Sequence, residues 1–315
     1  MSQRILITGS SGFLGSELCK VLSNTENIIT AVDIKTPPMK YKNCSYYSGS
    51  IEKFLSENQK LSEFDLIIHT ASVLPYKGNK KELIKTNIES TQNLVNKVRE
   101  LKSTFFIYVS SSGVYGKPKK NPINKDTKFN PLDLYANTKI ISEKYILKNI
   151  QKSKFSIIRP RTILGNNRGG IFNIFFALIK KGIPIPIPNN GKQIIQFVDV
   201  EDLANLIVYL GVNKTSGIWP AAAPKPIPLK NHLDFLGKKL GKRVLTFNVN
   251  SRIFLYIGNI LVTLKLTNFT KWHFGAFPYS FYFDTNWKPQ GFEYKYSCND
   301  TFMKSANLLF DKNLE

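Results

Sequence analysis

The sequence predicts an α/β protein: a doubly wound parallel sheet with a smaller C-terminal substrate-binding lobe. Three observations carry this. Short β-branched runs alternate with longer amphipathic segments through the first half, a glycine-rich turn joins the first run to the first helix, and Gly and Pro punctuation takes over after about residue 160.

The strand candidates are 4-8, 28-33, 65-70, 104-110 and 155-159. Helix candidates near 12-23, 79-101 and 131-149 lie between them, each long enough to return the chain to the same edge of the sheet. Asn130-Pro131, a cap-like residue followed by proline, marks the start of the third helix. Further on, the run Ile183-Pro184-Ile185-Pro186-Ile187-Pro188 cannot lie in a helix interior and is expected as an extended or edge element. Short helices near 171-181, 200-211, 228-240, 251-266 and 298-311 complete the chain. Residues 1-160 are therefore expected to form the nucleotide-binding body, to which later segments return, and 161-315 mainly the substrate lobe.

Composition narrows the class. The formal charge of +22 would allow phosphate contacts with a nucleic acid, but lysine supplies nearly all of it and is dispersed along the chain. Arginine, the side chain that reads bases through paired hydrogen bonds, is scarce, so no specific nucleic-acid partner is expected. Cys19, Cys44 and Cys298 show no disulfide or zinc spacing, and His69, His232 and His273 make no metal set. A strand begins at Arg4 without a basic head, apolar stretch and cleavage site, so no secretory signal is expected and the predicted compartment is the cytoplasm. The apolar stretch 253-266 is interrupted by Asn259 and Lys265 and falls short of the ~20 residues a bilayer crossing needs.

Thr8-Gly9-Ser10-Ser11-Gly12-Phe13-Leu14-Gly15 follows a strand and opens a helix, the setting in which a glycine pattern points to a dinucleotide. Glycines let the main chain approach a pyrophosphate, whose charge meets the amides of Ser11, Gly12, Phe13 and Leu14 at the helix end. Asp33 closes the next strand, about 20 residues on, where a carboxylate accepts from the adenosine ribose hydroxyls. A 2′-phosphate would face that carboxylate, so NAD is expected over NADP, with Lys35 as the one feature favouring the latter. A loop or capping role is the alternative reading of Asp33.

Tyr135-Ala136-Asn137-Thr138-Lys139 sets Tyr and Lys on one helix face. An ammonium beside a phenol whose ordinary pKa is about 10 stabilises the phenolate and brings Tyr135 within reach of acid/base work at neutral pH. Upstream, the strand Phe105-Phe106-Ile107-Tyr108-Val109 ends in Ser110-Ser111-Ser112-Gly113, placing hydroxyls at the carboxyl edge where open α/β sheets bind ligands. Serines there are also common turn formers, so the weight rests on the ordered combination.

With these segments in place, the chain resembles the NAD-dependent epimerase/dehydratase family, extended short-chain dehydrogenases with a Rossmann fold that include nucleotide-sugar 4-epimerases. The carrying segments are Thr8 to Gly15, Asp65 to Ser72, Asn87 to Leu94, Val109 to Gly116, Tyr135 to Lys139, Ile158 to Gly165 and Phe197 to Ala204. The resemblance implies an enzyme that moves a hydride between NAD and one carbinol or ketone carbon of a nucleotide sugar, with Ser111 as catalytic hydroxyl, Tyr135 as acid/base and Lys139 as its tuner. It also implies cofactor contacts at Ala71, Asn87, Lys139 and Pro160, with Ser50 and Ile51 against the adenine, and substrate contacts at Ser111, Ser112, Tyr135, Thr162 and Arg168. A homodimer through helices 79-101 and 131-149 is the family's usual assembly.

Departures from the family refine the expectation. Dehydratases carry an Asp-Glu pair directly after the catalytic hydroxyl, because eliminating water needs a further acid and base; here Ser112 and Gly113 stand there, which disfavours dehydration. Ile195 occupies the region where nucleotide-sugar epimerases place a diphosphate-binding arginine, leaving Lys192 and Arg168 to substitute. Gly49-Ser50-Ile51 lacks the acid many relatives set against adenine. The apolar region 253-277 suits an alternative, a lipid- or steroid-like alcohol or ketone, or contact with a membrane surface. A non-catalytic NAD-binding protein is the third reading, against which Ser111, Tyr135 and Lys139 argue.

Overall fold

The computed structural model describes residues 2–57, 61–74, 78–165, 172–264 and 271–310. Seven parallel strands form the central sheet: β1 (Arg4–Thr8), β2 (Ile28–Asp33), β3 (Cys44–Ser48), β4 (Leu66–His69), β5 (Phe105–Val109), β6 (Phe155–Pro160) and β7 (Gly217–Ala221), in the order β7-β6-β5-β4-β1-β2-β3. The chain winds outward from β1 through β2 to β3, then returns to the other side of β1 with β4. This reversal opens a crevice beyond the carboxyl ends of β1 and β4, the point where open α/β sheets take ligands. Register brings those ends level, with Thr8 paired to Val32 on one side and His69 on the other.

Strands covered on both faces need apolar residues at every position, and β4 and β5 are buried throughout. One face is sealed by α1 (Phe13–Ser23) and a later helix, α7 (Val200–Val212); Leu14, Leu18 and Leu22 interdigitate with Leu203, Leu206 and Leu210 over Ile5, Ile7 and Ile68. The other face carries α2 (Ile51–Ser56), α4 (Ser90–Val98) and α5 (Leu134–Asn149), packed over Leu6, Ile67, Phe106 and Ile157, with the short α3 (Lys80–Ile84) against α5. The run expected at 79-101 is interrupted by a five-residue π turn, Lys85–Glu89. Helix α5 starts later than Asn130-Pro131 suggests. Asp133 is its cap, accepting from Ala136 N at 2.8 Å, whereas Asn130 instead donates to Lys117 O at 3.0 Å and braces the preceding loop.

Beyond β6, a second cluster gathers α6 (Phe172–Lys180), α8 (Leu229–Lys239) and α11 (Cys298–Phe310) around Phe172, Phe176, Phe197 and Phe302. The proline run is extended as expected, with Ile185–Pro188 pairing in parallel with Thr246–Val249. Helices α9 (Ser251–Thr263) and α10 (Lys271–Ala276) pack against each other through Phe254 and Phe274, and α9 leaves Ile253, Tyr256 and Ile257 exposed. No helix among the described residues is long and apolar enough to cross a membrane.

One ring pins the centre. His69 is fully buried between Thr8 Oγ1, 2.6 Å from Nδ1, and Thr91 Oγ1, 2.9 Å from Nε2. Burial, aided by the charge of Lys139, holds its pKa down at about 3, so it is neutral and structural. The cysteine spacing concealed one neighbourhood: Cys19 on α1 and Cys44 on β3 pack in the same apolar cluster, each as a free thiol.

Candidate active site

The carboxyl edge of the sheet opens into a cavity of about 1160 Å³. That is beyond the roughly 300–1,000 Å³ of a pocket for one small ligand, and leaves room for a dinucleotide and a second molecule.

At one end, Gly9 turns the chain out of β1 with φ +74°, its amide donating to Val32 O at 2.9 Å. A side chain at Gly15 would begin 2.1 Å from Gly9 O, so only glycine lets α1 pack this closely against the turn. The result is a side-chain-free cradle facing the first turn of α1, which has no side-chain cap of its own. Asp33 lies on the cavity wall at the end of β2, with Oδ2 accepting from Ser11 N at 3.0 Å and Oδ1 from Lys35 N at 2.9 Å. Asp33 thus braces the glycine turn from a position on the cavity wall. The glycine cradle, the helix end and this carboxylate fit an adenine dinucleotide.

At the other end stand Ser111, Tyr135 and Lys139, all lining the same cavity. Ser111 Oγ accepts from Gly113 N at 3.0 Å, which leaves its own proton for an oxygen in the cavity. Lys139 is 2% exposed; its Nζ donates to Val109 O at 3.0 Å and lies 5.8 Å from the centre of the Tyr135 ring. Burial pulls the Lys139 pKa down to about 7, and the nearby Glu143 carboxylate opposes that pull.

Beneath these groups is a buried ionic network. Glu143, one turn beyond Lys139, accepts from Arg159 Nε at 3.0 Å and NH2 at 2.5 Å, and from Ser110 Oγ. Arg159 NH1 donates to Tyr115 OH at 2.5 Å. Strands β5 and β6 are thereby tied to α5 directly behind the serine run.

Of the residues singled out from sequence, Gly9, Ser11, Gly12, Phe13, Leu14, Gly15, Asp33, Ser50, Ile51, Ala71, Ser111, Ser112, Tyr135, Lys139, Pro160 and Thr162 all line the cavity. Asn87 does not. Its Oδ1 accepts from Val73 N at 2.8 Å and Ser72 Oγ at 3.1 Å, and its Nδ2 donates to Val73 O at 3.0 Å and Thr138 Oγ1 at 3.2 Å. With its amide filled, Asn87 clamps the 71–73 turn to α5 instead of meeting a ligand. Arg168 lies outside the described residues. Sequence reasoning missed Arg161, which lines the cavity, and the Glu143–Arg159 pair. Phe277, from the apolar region 253-277, also reaches the cavity wall, as does Ala276.

Residues 5–219 match the family model described as the NAD dependent epimerase/dehydratase family. The chain belongs to that family, and is accordingly an NAD-using enzyme of the epimerase and oxidoreductase kind. It is 27% identical over 308 residues to the uncharacterized protein y4nG of Sinorhizobium fredii, covering 96% of this chain and 77% of that one. It is 26% identical over 240 residues to a putative UDP-glucose 4-epimerase of Methanocaldococcus jannaschii, covering 68% and 78% respectively. Among solved structures, the Bordetella bronchiseptica enzyme WbmG in complex with NAD superposes with a TM-score of 0.76 at 18% identity, covering 99% of this chain and 95% of that one.

Proposed function

We propose that the protein is an NAD-dependent epimerase or oxidoreductase acting on one carbinol or ketone carbon of a nucleotide sugar. The observation that carries the reading is the shared cavity: Ser111, Tyr135 and Lys139 line one end, and the glycine cradle and Asp33 the other. In this reading the nucleotide-binding body of residues 1-160 holds the cofactor and 161-315 supplies most of the substrate wall. Similarity to a putative UDP-glucose 4-epimerase supports the substrate class.

NAD, when bound, supplies reversible hydride exchange with carbon. The cradle at Gly9, Gly12 and Gly15 would hold its pyrophosphate and Asp33 its adenosine ribose. Tyr135 takes the proton from the substrate hydroxyl as that carbon is oxidised and returns it on reduction. Ser111 donates to the same oxygen and holds it in reach of the phenol. Lys139, when protonated, favours the phenolate, and its low pKa places that protonation near neutrality. Ser112 and Gly113, which follow Ser111, offer no carboxylic acid to drive elimination, so the chemistry stays with oxidation and reduction.

A second reading, an apolar alcohol or ketone substrate, is favoured by one observation: Phe172, Ile195, Phe277 and Phe281 wall the cavity. A homodimer through α4 and α5, whose Ile141 and Leu147 remain exposed, belongs to the first reading.

The test is incubation of purified protein and NAD with a panel of nucleotide sugars and of apolar alcohols. The expected result is an isomerised, oxidised or reduced sugar nucleotide, with Tyr135→Phe slower by about 10²-fold or more. Turnover confined to apolar alcohols would move the assignment to the second reading. Absence of product with every compound, and no difference between Tyr135→Phe and wild type, would remove both.

A further inference from the structure

A buried cation in the cavity has no counter-charge among the described residues. Arg161 follows the end of β6, is 7% exposed and lines the cavity. Its guanidinium lies 4.0 Å from the centre of the Phe281 ring, and NH1 donates to Ser112 Oγ across a long 3.3 Å. Among the described residues, Nε is buried with no hydrogen-bond partner and no carboxylate lies within ion-pair distance. Arg159, two residues earlier, shows the contrast: its fork is filled by Glu143 and Tyr115.

A guanidinium withdrawn from water without an anion is costly, and nothing in its packing requires charge, since an apolar chain of similar length would stack on Phe281 as well. A cost retained beside a ligand cavity is recovered when an anion arrives. The planar fork suits two oxygens at once, which is the geometry of a carboxylate or a phosphate. Its partner Ser112 adjoins Ser111, so the site sits next to the proposed reacting end.

We propose that Arg161 receives an anionic group of the substrate, a carboxylate or phosphate, and sets the preference for acidic over neutral substrates. The inference deepens, and rests on, the nucleotide-sugar reading above. Two parts of such a molecule present this chemistry: a carboxylate on the sugar ring and the diphosphate.

The test titrates NAD-loaded wild type, Arg161→Gln and Arg161→Lys with UDP-glucose, UDP-glucuronate, free glucuronate and inorganic pyrophosphate, following heat of binding. Arg161→Gln should weaken the anion it serves at least tenfold and Arg161→Lys less, with NAD affinity unchanged within twofold in both. Loss confined to UDP-glucuronate and glucuronate assigns the sugar carboxylate; equal loss for UDP-glucose, UDP-glucuronate and pyrophosphate assigns the diphosphate. If every probe that binds wild type binds Arg161→Gln within twofold, the inference falls and the nucleotide-sugar reading stands. If pyrophosphate or glucuronate binds in an Arg161-dependent way but neither nucleotide sugar does, the anion site stands and that reading falls. Binding of none of the four overturns both. As an independent readout, unliganded Arg161→Met should melt no lower than wild type, because its buried charge is gone; a clearly lower melting temperature contradicts the uncompensated charge.

Discussion

Replacing Glu143 with glutamine keeps the shape of the side chain and removes half of a buried ion pair. Glu143 is fully buried and Arg159 is 5% exposed, so neither charge has water to fall back on. The substitution leaves the guanidinium unpaired at distances of 3.0 and 2.5 Å from an amide that cannot accept at both positions. Stranding one partner of such a pair costs about 3–5 kcal/mol. With an unfolding entropy of about 2.1 cal/mol/K per residue, about 4 kcal/mol lowers the Tm of this chain by roughly 6 °C. A second effect reaches the candidate site, because Glu143 raises the Lys139 pKa against the pull of burial. Without that carboxylate the ammonium is lost at lower pH, so any decline of activity on the alkaline side should begin earlier. Scanning calorimetry and a pH profile of kcat/KM read the two effects, and Glu143→Gln combined with Arg159→Met should regain much of the lost stability. A Tm within 1 °C of wild type together with an unmoved pH profile would refute the assignment of Glu143 as the support of both Arg159 and Lys139.

Lys139→Met tests the titration directly. The folded pKa of about 7 lies below the ordinary lysine value of 10.5, so between these values the unfolded chain holds more protons, and stability of the wild type should rise with pH through that window. Denaturant unfolding of the cofactor-free protein at pH 6.5 and 9.5 should show a rise that Lys139→Met loses; a rise of the same size in the variant would assign it elsewhere. Gly15→Ala should weaken NAD binding tenfold or more, because its Cβ starts 2.1 Å from a main-chain oxygen that cannot retreat without opening the turn. Calorimetric titration giving an affinity within twofold of wild type would show that the turn tolerates the methyl.

What could be read from sequence were the features that local spacing determines. Strands β1, β4 and β5 announce themselves because burial on both faces demands unbroken apolar runs, and the glycine turn because a strand, three glycines and a helix follow one another without a gap. Strand β3 escaped because Cys44-Ser45-Tyr46-Tyr47-Ser48 lies at an edge with half-exposed residues and no apolar run. Strand β7 escaped because Pro220 interrupts it, a residue tolerated there because β7 is the opposite edge. At the site, Ser111, Tyr135 and Lys139 were visible as segments in order. The clamp made by Asn87 and the unequal fates of Arg159 and Arg161 were not, because each depends on partners brought together across the fold: Thr138 for Asn87, Glu143 for Arg159 and Phe281 for Arg161.

The ring at the centre of the sheet fixes a direction as well as a position. Thr91 has a single hydroxyl proton, and it is committed to Asn87 O at 3.0 Å, so Thr91 must receive from His69. The neutral imidazole therefore exists as the Nε2–H tautomer, and Nδ1 takes the proton offered by Thr8. The hydrogen bonds run one way, from the strand before the glycine turn through the imidazole to the carbonyl of Asn87, where Ser142 of the tyrosine helix also donates. Strand, ring and helix are wired with a single polarity, which a protonated imidazole, a donor on both nitrogens, would break at Thr8.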